Sequence, residues 1–317
     1  MSKKKIGILS AAIFFTALML IFAIASNNTR AYSKECYYFD TYNYITVYGK
    51  KDYKKLDDVI SKIAYYDSLF DKGREGSDIY NINHSQNKPV TVSEDTYKML
   101  EKAYEFCDES NGAADITVEP LMNLWGFEND SQIRTEVPTD SEIEKSLFLI
   151  DYKNLILSEN NTVILEGENT KIDVGFIAKG YIADCIKEYM ESIGIKRGLI
   201  SLGGNILAIG QKPFDKPYII GVRDPENKSK SLREIEIDDE SLVTSGTYER
   251  FIEIDGTRFH HILDINTGYP VENGINGVTV KAKFSADADA LSTICLILGE
   301  EKSRPILERH NAEAVFY

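Results

Sequence analysis

The sequence predicts an α+β fold: a mixed, largely antiparallel sheet with flanking helices, preceded by an amino-terminal hydrophobic helix. Helical and strand-like segments alternate without the regular strand–helix–strand period of a parallel doubly wound fold. The stretch from Tyr218 to Leu263 is a succession of short β-branched and aromatic runs, which suits antiparallel strands. Ahead of both, Lys3, Lys4 and Lys5 introduce a charge-free run from Ile6 to Ala25. No repeat, low-complexity tract or strong internal linker interrupts the rest. Residues 1–30 are therefore expected to be a signal peptide or membrane anchor, and residues 31–317 a single domain.

The apolar run is about as long as a bilayer-spanning helix, so an uncleaved anchor is favoured over a removed signal peptide, although Ala23-Ile24-Ala25 would suit a signal peptidase. The lysines stay inside, which puts residues after about Ser26 on the outer face of the cytoplasmic membrane. No cysteine directly follows the run, which argues against a lipoprotein anchor there; Cys36 lies well beyond it.

NNTRAYSKE reads as a polar tether and CYYFDTYNYITVYG as a strand. From Tyr53 to Phe70 the apolar residues Leu56, Val59, Ile60, Ile63 and Ala64 fall at helical spacing. DKGREGSDIYNINHSQN reads as a surface loop, and Ser93 to Asn111 as a helix capped by Ser93. Thr139 and Glu142 have capping-box spacing at the start of a short helix. YKNLILS and TVILEG form a hairpin about Glu159-Asn160-Asn161. KIDV reads as a strand ending at Asp173, Gly175 as a turn, and Ala178 to Ile193 as a helix. Two strands surround Gly203-Gly204. Helices near Ser285–Leu298 and Glu300–His310 and a final strand, AVFY, close the chain.

Composition narrows the function. The 317 residues carry a net charge of −14, and no basic stripe follows the first five residues, so no nucleic-acid partner is expected. Cys36, Cys107, Cys185 and Cys295 are scattered without metal-ligand spacing and are assigned no chemistry. There is no G-x-S-x-G elbow, P-loop, H-E-x-x-H or G-x-G-x-x-G following a strand.

The densest polar stretch runs from Thr244 to Gly299 and reads as half of a ligand site. On its helix, Asp289 and Thr293 lie four residues apart on one face, a hard-oxygen pair suited to Mg²⁺ if carbonyls, waters or phosphates complete it. On spacing alone, caps and dipole-complementing acids account for these groups better. His260 and His261 sit on a predicted strand and point to opposite faces, so only one can enter a given site; a histidine there could act as a general base or be structural. The turn before Ala178 places backbone groups at a helix N-terminus, where phosphate is favoured.

Together, FDTYNYITVYG, GSDIYNIN, ADITVEPLMNLWGF, DVGFIAKGYIAD, LISLGGNILAIG, SGTYERF, HHILDINTGYP and ADALST form an ordered series from about Phe39 to Gly299. The series resembles the ApbE family of FAD:protein FMN transferases, and the resemblance covers nearly all of the chain beyond residue 30. It implies transfer of FMN from FAD onto a threonine or serine of an acceptor protein, through a phosphoester and with release of AMP, with Mg²⁺ as cofactor and FAD as donor. It further implies metal binding by Asp289, Thr293 and a turn carbonyl, placed at Phe176 with Ala178 as the alternative. FAD contacts carry over to Phe39, Ala113, Ala114, Asp115, Asp173, Lys179 and Leu263. His261 matches the more regular histidine of the pair and is implied as the base. Phe39 departs from the methionine of many relatives, Phe176 from a small residue, and Thr247 from an acidic or small one. Two other activities share these groups: Mg²⁺-dependent hydrolysis of FAD to FMN and AMP, and non-enzymatic FAD binding at the cell surface.

Overall fold

Main-chain pairing begins inside the predicted tether. In the computed structural model, which describes residues 29–127, 134–224 and 230–317, β1 (Ala31–Tyr38) pairs antiparallel with β2 (Thr41–Tyr48), Tyr38 opposite Thr41. The run predicted as one strand is therefore a hairpin. Its tip, Phe39-Asp40, holds φ of 57° and 53°, the left-handed conformation that a two-residue hairpin turn requires. The apolar segment of residues 6–25 lies outside the described residues. Among those described, no helix is long and apolar enough to cross a membrane.

Helix α1 (Leu56–Phe70) buries Leu56, Val59, Ile63, Tyr66 and Phe70, the stripe expected of its spacing. The predicted loop after it contains a short helix, α2 (Asp78–Asn83), which Ser77 caps by accepting from the Tyr80 amide. Asn83 holds the Ile172 backbone through both its amide groups, at 2.9 and 2.7 Å, so part of this polar cluster is structural. A two-residue strand, β3 (Val90–Thr91), precedes α3 (Glu94–Glu109), with Ser93 as its cap. Then come α4 (Glu119–Trp125) and α5 (Asp140–Leu147), the latter with the Thr139/Glu142 capping box in place. β4 (Leu155–Ser158) and β5 (Thr162–Leu165) form the expected hairpin, and β3 joins it as a third strand.

The segment predicted as a strand ending at Asp173 is irregular. Its polar backbone groups are satisfied elsewhere: the Ile172 amide by Asn83 and the Asp173 amide by the Ile116 carbonyl, at 2.7 Å. Helix α6 (Ala178–Ser192) leads into the hairpin of β6 (Gly198–Leu202) and β7 (Asn205–Ile209). Beyond it, β8 (Tyr218–Arg223) pairs with β9 (Ser231–Ile237), and β10 (Ser241–Gly246) returns to the main sheet. β11 (Phe251–Ile254), β12 (Thr257–His260), β13 (Leu263–Asp264) and β14 (Tyr269–Pro270) make two small hairpins. β15 (Gly277–Ala282), α7 (Ser285–Leu298), α8 (Glu300–Arg309) and β16 (Glu313–Phe316) complete the chain.

The main sheet has the order β1-β2-β6-β7-β10-β15-β16, and every pairing in it is antiparallel. Ile45, Val47, Ile200, Leu202, Val278 and Val280 from this sheet share one core with Ile182 and Ile186 of α6 and Leu291 and Ile294 of α7. A second cluster gathers Leu121, Trp125, Ile252 and Leu263, fixed by the Trp125 indole donating to the Gly268 carbonyl at 2.8 Å. The four cysteines are free thiols, Cys107 and Cys295 buried.

Candidate active site

Helices α6 and α7 meet at their amino-terminal turns because Gly180 lacks a side chain. A Cβ there would lie 2.2 Å from the Ser285 carbonyl oxygen and 2.7 Å from the Ala286 Cα. At this contact the Gly180 amide donates to Asp289 Oδ2 at 2.8 Å. An α-helical continuation would have sent that amide to the carbonyl of Phe176, which accepts no hydrogen bond among the described residues. Asp184 of α6 completes the junction by accepting from the amides of Ser285 and Ala286, both at 2.8 Å. The cap of α7 thus comes from another helix, since Phe284 at its N-cap position makes no side-chain cap bond. Burial pushes the Asp184 carboxyl up to about 6.

Lys179 stands between the segments, its Nζ donating to the Gly175 carbonyl at 3.0 Å and lying 3.7 Å from Asp289 Oδ2. Asp289 is 3% exposed; burial raises its pKa, against the pull of Lys179 and the Gly180 amide. One turn further, Thr293 Oγ1 lies 3.2 Å from Ser245 Oγ, which in turn is 2.7 Å from Ser292 Oγ. A buried carboxylate, a hydroxyl and an unpartnered carbonyl are an all-oxygen donor set, the chemistry that Mg²⁺ prefers. These residues fit such an ion, with one carboxylate and neutral oxygens leaving coordination positions for phosphate. No cluster of three or more His, Cys, Asp or Glu with metal-holding geometry occurs among the described residues. Asp287 turns away and binds Lys102 at 2.9 Å and His310 at 3.2 Å, so the two acids of α7 have different partners.

His261 follows the end of β12. Its Nδ1 donates to the Arg250 carbonyl at 3.0 Å, and its own amide donates to the same oxygen at 3.1 Å. This fixes the tautomer and leaves Nε2 with a lone pair. Burial, then the Arg250 charge and more weakly that of Lys179, pushes its pKa down to about 4, so the ring is neutral at neutral pH. His260 donates from Nε2 to the Val271 carbonyl at 3.1 Å, and its buried Nδ1 has no partner among the described residues.

The remaining predicted residues shape the surroundings. Asp173 accepts from the Gly175 amide at 2.6 Å and pairs with Lys72, which also pairs with Glu119. Burial works against its charge, but Lys72 and the amide prevail and lower its pKa. Asp115 is engaged at both oxygens, by Thr117 at 2.7 and 2.6 Å and by the Tyr152 amide at 2.9 Å. It therefore fixes the backbone that carries Ala113 and Ala114. Ala114 is buried, while Ala113 lines a cleft of about 480 Å³ with Asn111, Ile265 and Asn266. The Phe39 amide is anchored to Asp67 at 2.9 Å, and Leu263 is buried in the cluster around Trp125.

Gly180, Asp184 and Lys72 were not singled out from sequence, because each acts through a partner at least 47 positions away. Glu249 and Arg250 lie within the SGTYERF stretch, where no local spacing marks them. The Glu249 carboxyl is raised by its enclosure, Lys179 opposing and Asp289 adding, while the residue as a whole stays exposed. The influence of Lys179 on Asp289, Glu249 and His261 alike marks them as one electrostatic neighbourhood.

The ApbE family model matches residues 39–316. A FAD:protein FMN transferase of Klebsiella pneumoniae is 35% identical over 264 residues, covering 81% of this chain and 80% of its own. One of Treponema pallidum is 32% identical over 308 residues, covering 90% and 84%. Among solved structures, the ApbE protein of Thermotoga maritima matches with a TM-score of 0.84 at 33% identity, covering 90% of this chain and 94% of that one.

Proposed function

This chain belongs to the ApbE family, and on that premise we propose that it is a FAD:protein FMN transferase, moving the FMN half of FAD onto a threonine or serine hydroxyl of an acceptor protein. The hydroxyl oxygen bonds to the phosphorus of the FMN half, the bond from that phosphorus to the bridging oxygen breaks, and AMP leaves with that oxygen. The observation that carries this reading is the Gly180–Asp289 bond, which brings a buried carboxylate to the turn holding the free Phe176 carbonyl and Lys179.

His261 accepts the hydroxyl proton at Nε2, the nitrogen that its Nδ1 bond to Arg250 leaves unprotonated. A pKa near 4 makes it a weak base in the free protein; a pyrophosphate brought alongside would oppose Arg250 and Lys179 and raise its basicity. Lys179 faces the phosphates, Asp173 holds the Gly175 turn, and Phe39, Ala113, Ala114, Asp115 and Leu263 form or support the flavin-nucleotide contacts. Asp289, Thr293 and the Phe176 carbonyl would hold Mg²⁺, whose chemistry is to neutralise charge developing on the pyrophosphate. The reaction takes place outside the cytoplasmic membrane, on exported acceptors, with residues 6–25 as the anchor.

The test combines the protein with FAD, Mg²⁺ and a flavin-acceptor domain and follows acceptor fluorescence in gels together with AMP. A fluorescent acceptor with stoichiometric AMP is expected. AMP without a labelled acceptor would replace transfer with hydrolysis, and bound FAD without AMP would replace it with storage.

A further inference from the structure

Four exposed cations lie together where the described chain begins. The Gly49 amide donates to the Arg30 carbonyl at 2.9 Å, which sets the start of the described chain against the turn KKDYKK of residues 50–55. Arg30, Lys50, Lys51 and Lys54 are exposed and form no ion pair among the described residues. Of the nearby acids, Asp52 is paired with Lys55 at 2.9 Å and Asp57 with Lys34, while Glu35 and Asp58 are exposed; six cations (Arg30, Lys34, Lys50, Lys51, Lys54, Lys55) stand against these four acids, a local excess of two positive charges. Two half-buried tyrosines lie in the same cluster: Tyr32 and Tyr53 are 5.5 Å apart, with Arg30 over the first ring and Lys34 over the second.

This local excess of positive charge is unlike the rest of the molecule, whose formal charge is −14. Chain length also limits how far it can lie from the apolar segment. Six residue steps separate Ala25 from Ala31, so the chain can reach at most about 22 Å between them. A basic cluster flanked by tyrosines, tethered that close to a bilayer, matches the chemistry of an anionic interface, where cations meet phosphate and tyrosine sits at headgroup level.

We propose that Arg30, Lys50, Lys51 and Lys54, with Tyr32 and Tyr53, form a docking surface for anionic phospholipid headgroups that seats the domain on the membrane. The inference rests on the anchored placement proposed above and adds to it a second point of attachment. Two attachments restrict the rotation of a singly tethered domain and fix which face it turns to membrane-borne acceptors.

The test uses the full chain in nanodiscs of phosphatidylcholine alone or mixed with phosphatidylglycerol, and measures lysine acylation rates by mass spectrometry, referred to Lys302 on α8. Lys50, Lys51 and Lys54 are each expected to react about fivefold more slowly in the phosphatidylglycerol discs, the factor that roughly 1 kcal/mol per basic residue implies, with the difference lost at high salt. Equal rates in both discs would overturn the headgroup contact and leave the anchor standing. Failure of the chain to copurify with either disc would overturn both.

Discussion

The Gly180 amide and the Asp289 carboxylate, 109 positions apart in the chain, meet at 2.8 Å across the contact of two helices. The bond draws the carboxylate to the turn of residues 175–178 and satisfies an amide that the first turn of α6 leaves without an intrahelical acceptor. Both features depend on backbone approach at Gly180, where any Cβ would collide with the Ser285 main chain.

Gly180→Ala therefore strikes fold and site together. Overpacking against main chain cannot be relieved by a rotamer change, so a loss of about 1–3 kcal/mol is expected, with weaker Mg²⁺ binding. Denaturant unfolding and Mg²⁺ titration check this. Unchanged values for both would remove Gly180 from the account of how the site is assembled.

Asp289→Asn separates activity from stability. The variant keeps an acceptor for the Gly180 amide and removes a carboxylate whose pKa is raised by burial. Turnover is expected to fall about hundredfold or more, the scale on which loss of a charge-stabilising group falls, while the melting temperature holds or rises. Retained Mg²⁺-dependent turnover would sink the metal assignment.

His261→Gln addresses base and titration in one protein. Transfer should slow with FAD affinity little changed, whereas a loss confined to affinity would count against a base. For stability, the folded pKa near 4 lies below the ordinary value of 6.5. Between these limits the unfolded chain takes up a proton that the folded chain refuses, so stability falls as pH falls from 6.5 to 4. The full difference amounts to ~3 kcal/mol, and unfolding from pH 7 to 4 should show a shallower decline in the variant.

Asp184→Ala leaves the amides of Ser285 and Ala286 without their partner. A loss of about 1–2 kcal/mol is expected, as for removal of an N-terminal cap. The wild-type contribution has the opposite pH sign to that of His261. Its folded pKa of about 6 exceeds the usual 3.8, so the folded chain gains stability relative to the unfolded one as pH falls through that window. Comparing the two variants over one pH series distinguishes the residues.

Local features were legible without coordinates. Ser93 and the Thr139/Glu142 pair cap the helices that they were expected to cap, and α7 spans Ser285–Leu298 as read from its pattern. Capping and periodicity are short-range properties, set within a few residues of chain. Local signals mislead where tertiary bonds replace local ones. KIDV has β-branched content yet pairs with no strand, because Asn83 and Ile116 take the amides that a sheet would have used. CYYFDTYNYITVYG folds back at Phe39-Asp40, two residues whose left-handed conformation no glycine advertised.

The sequence by itself determined the fold class, the family pattern and the residue types of the candidate site: an acid and a hydroxyl one helical turn apart, a histidine pair, and a turn at a helix start. Only the tertiary structure decided what each of them meets. It sent Asp287 to His310 and Asp289 to Gly180, fixed the His261 tautomer through the Arg250 carbonyl, and turned Asp115 into a support for the loop. The physical reason is reach. Spacing along the chain establishes which groups share a helix face, whereas burial, hydrogen-bond partners and protonation depend on atoms brought in from elsewhere, here by two helices touching where one residue has no side chain.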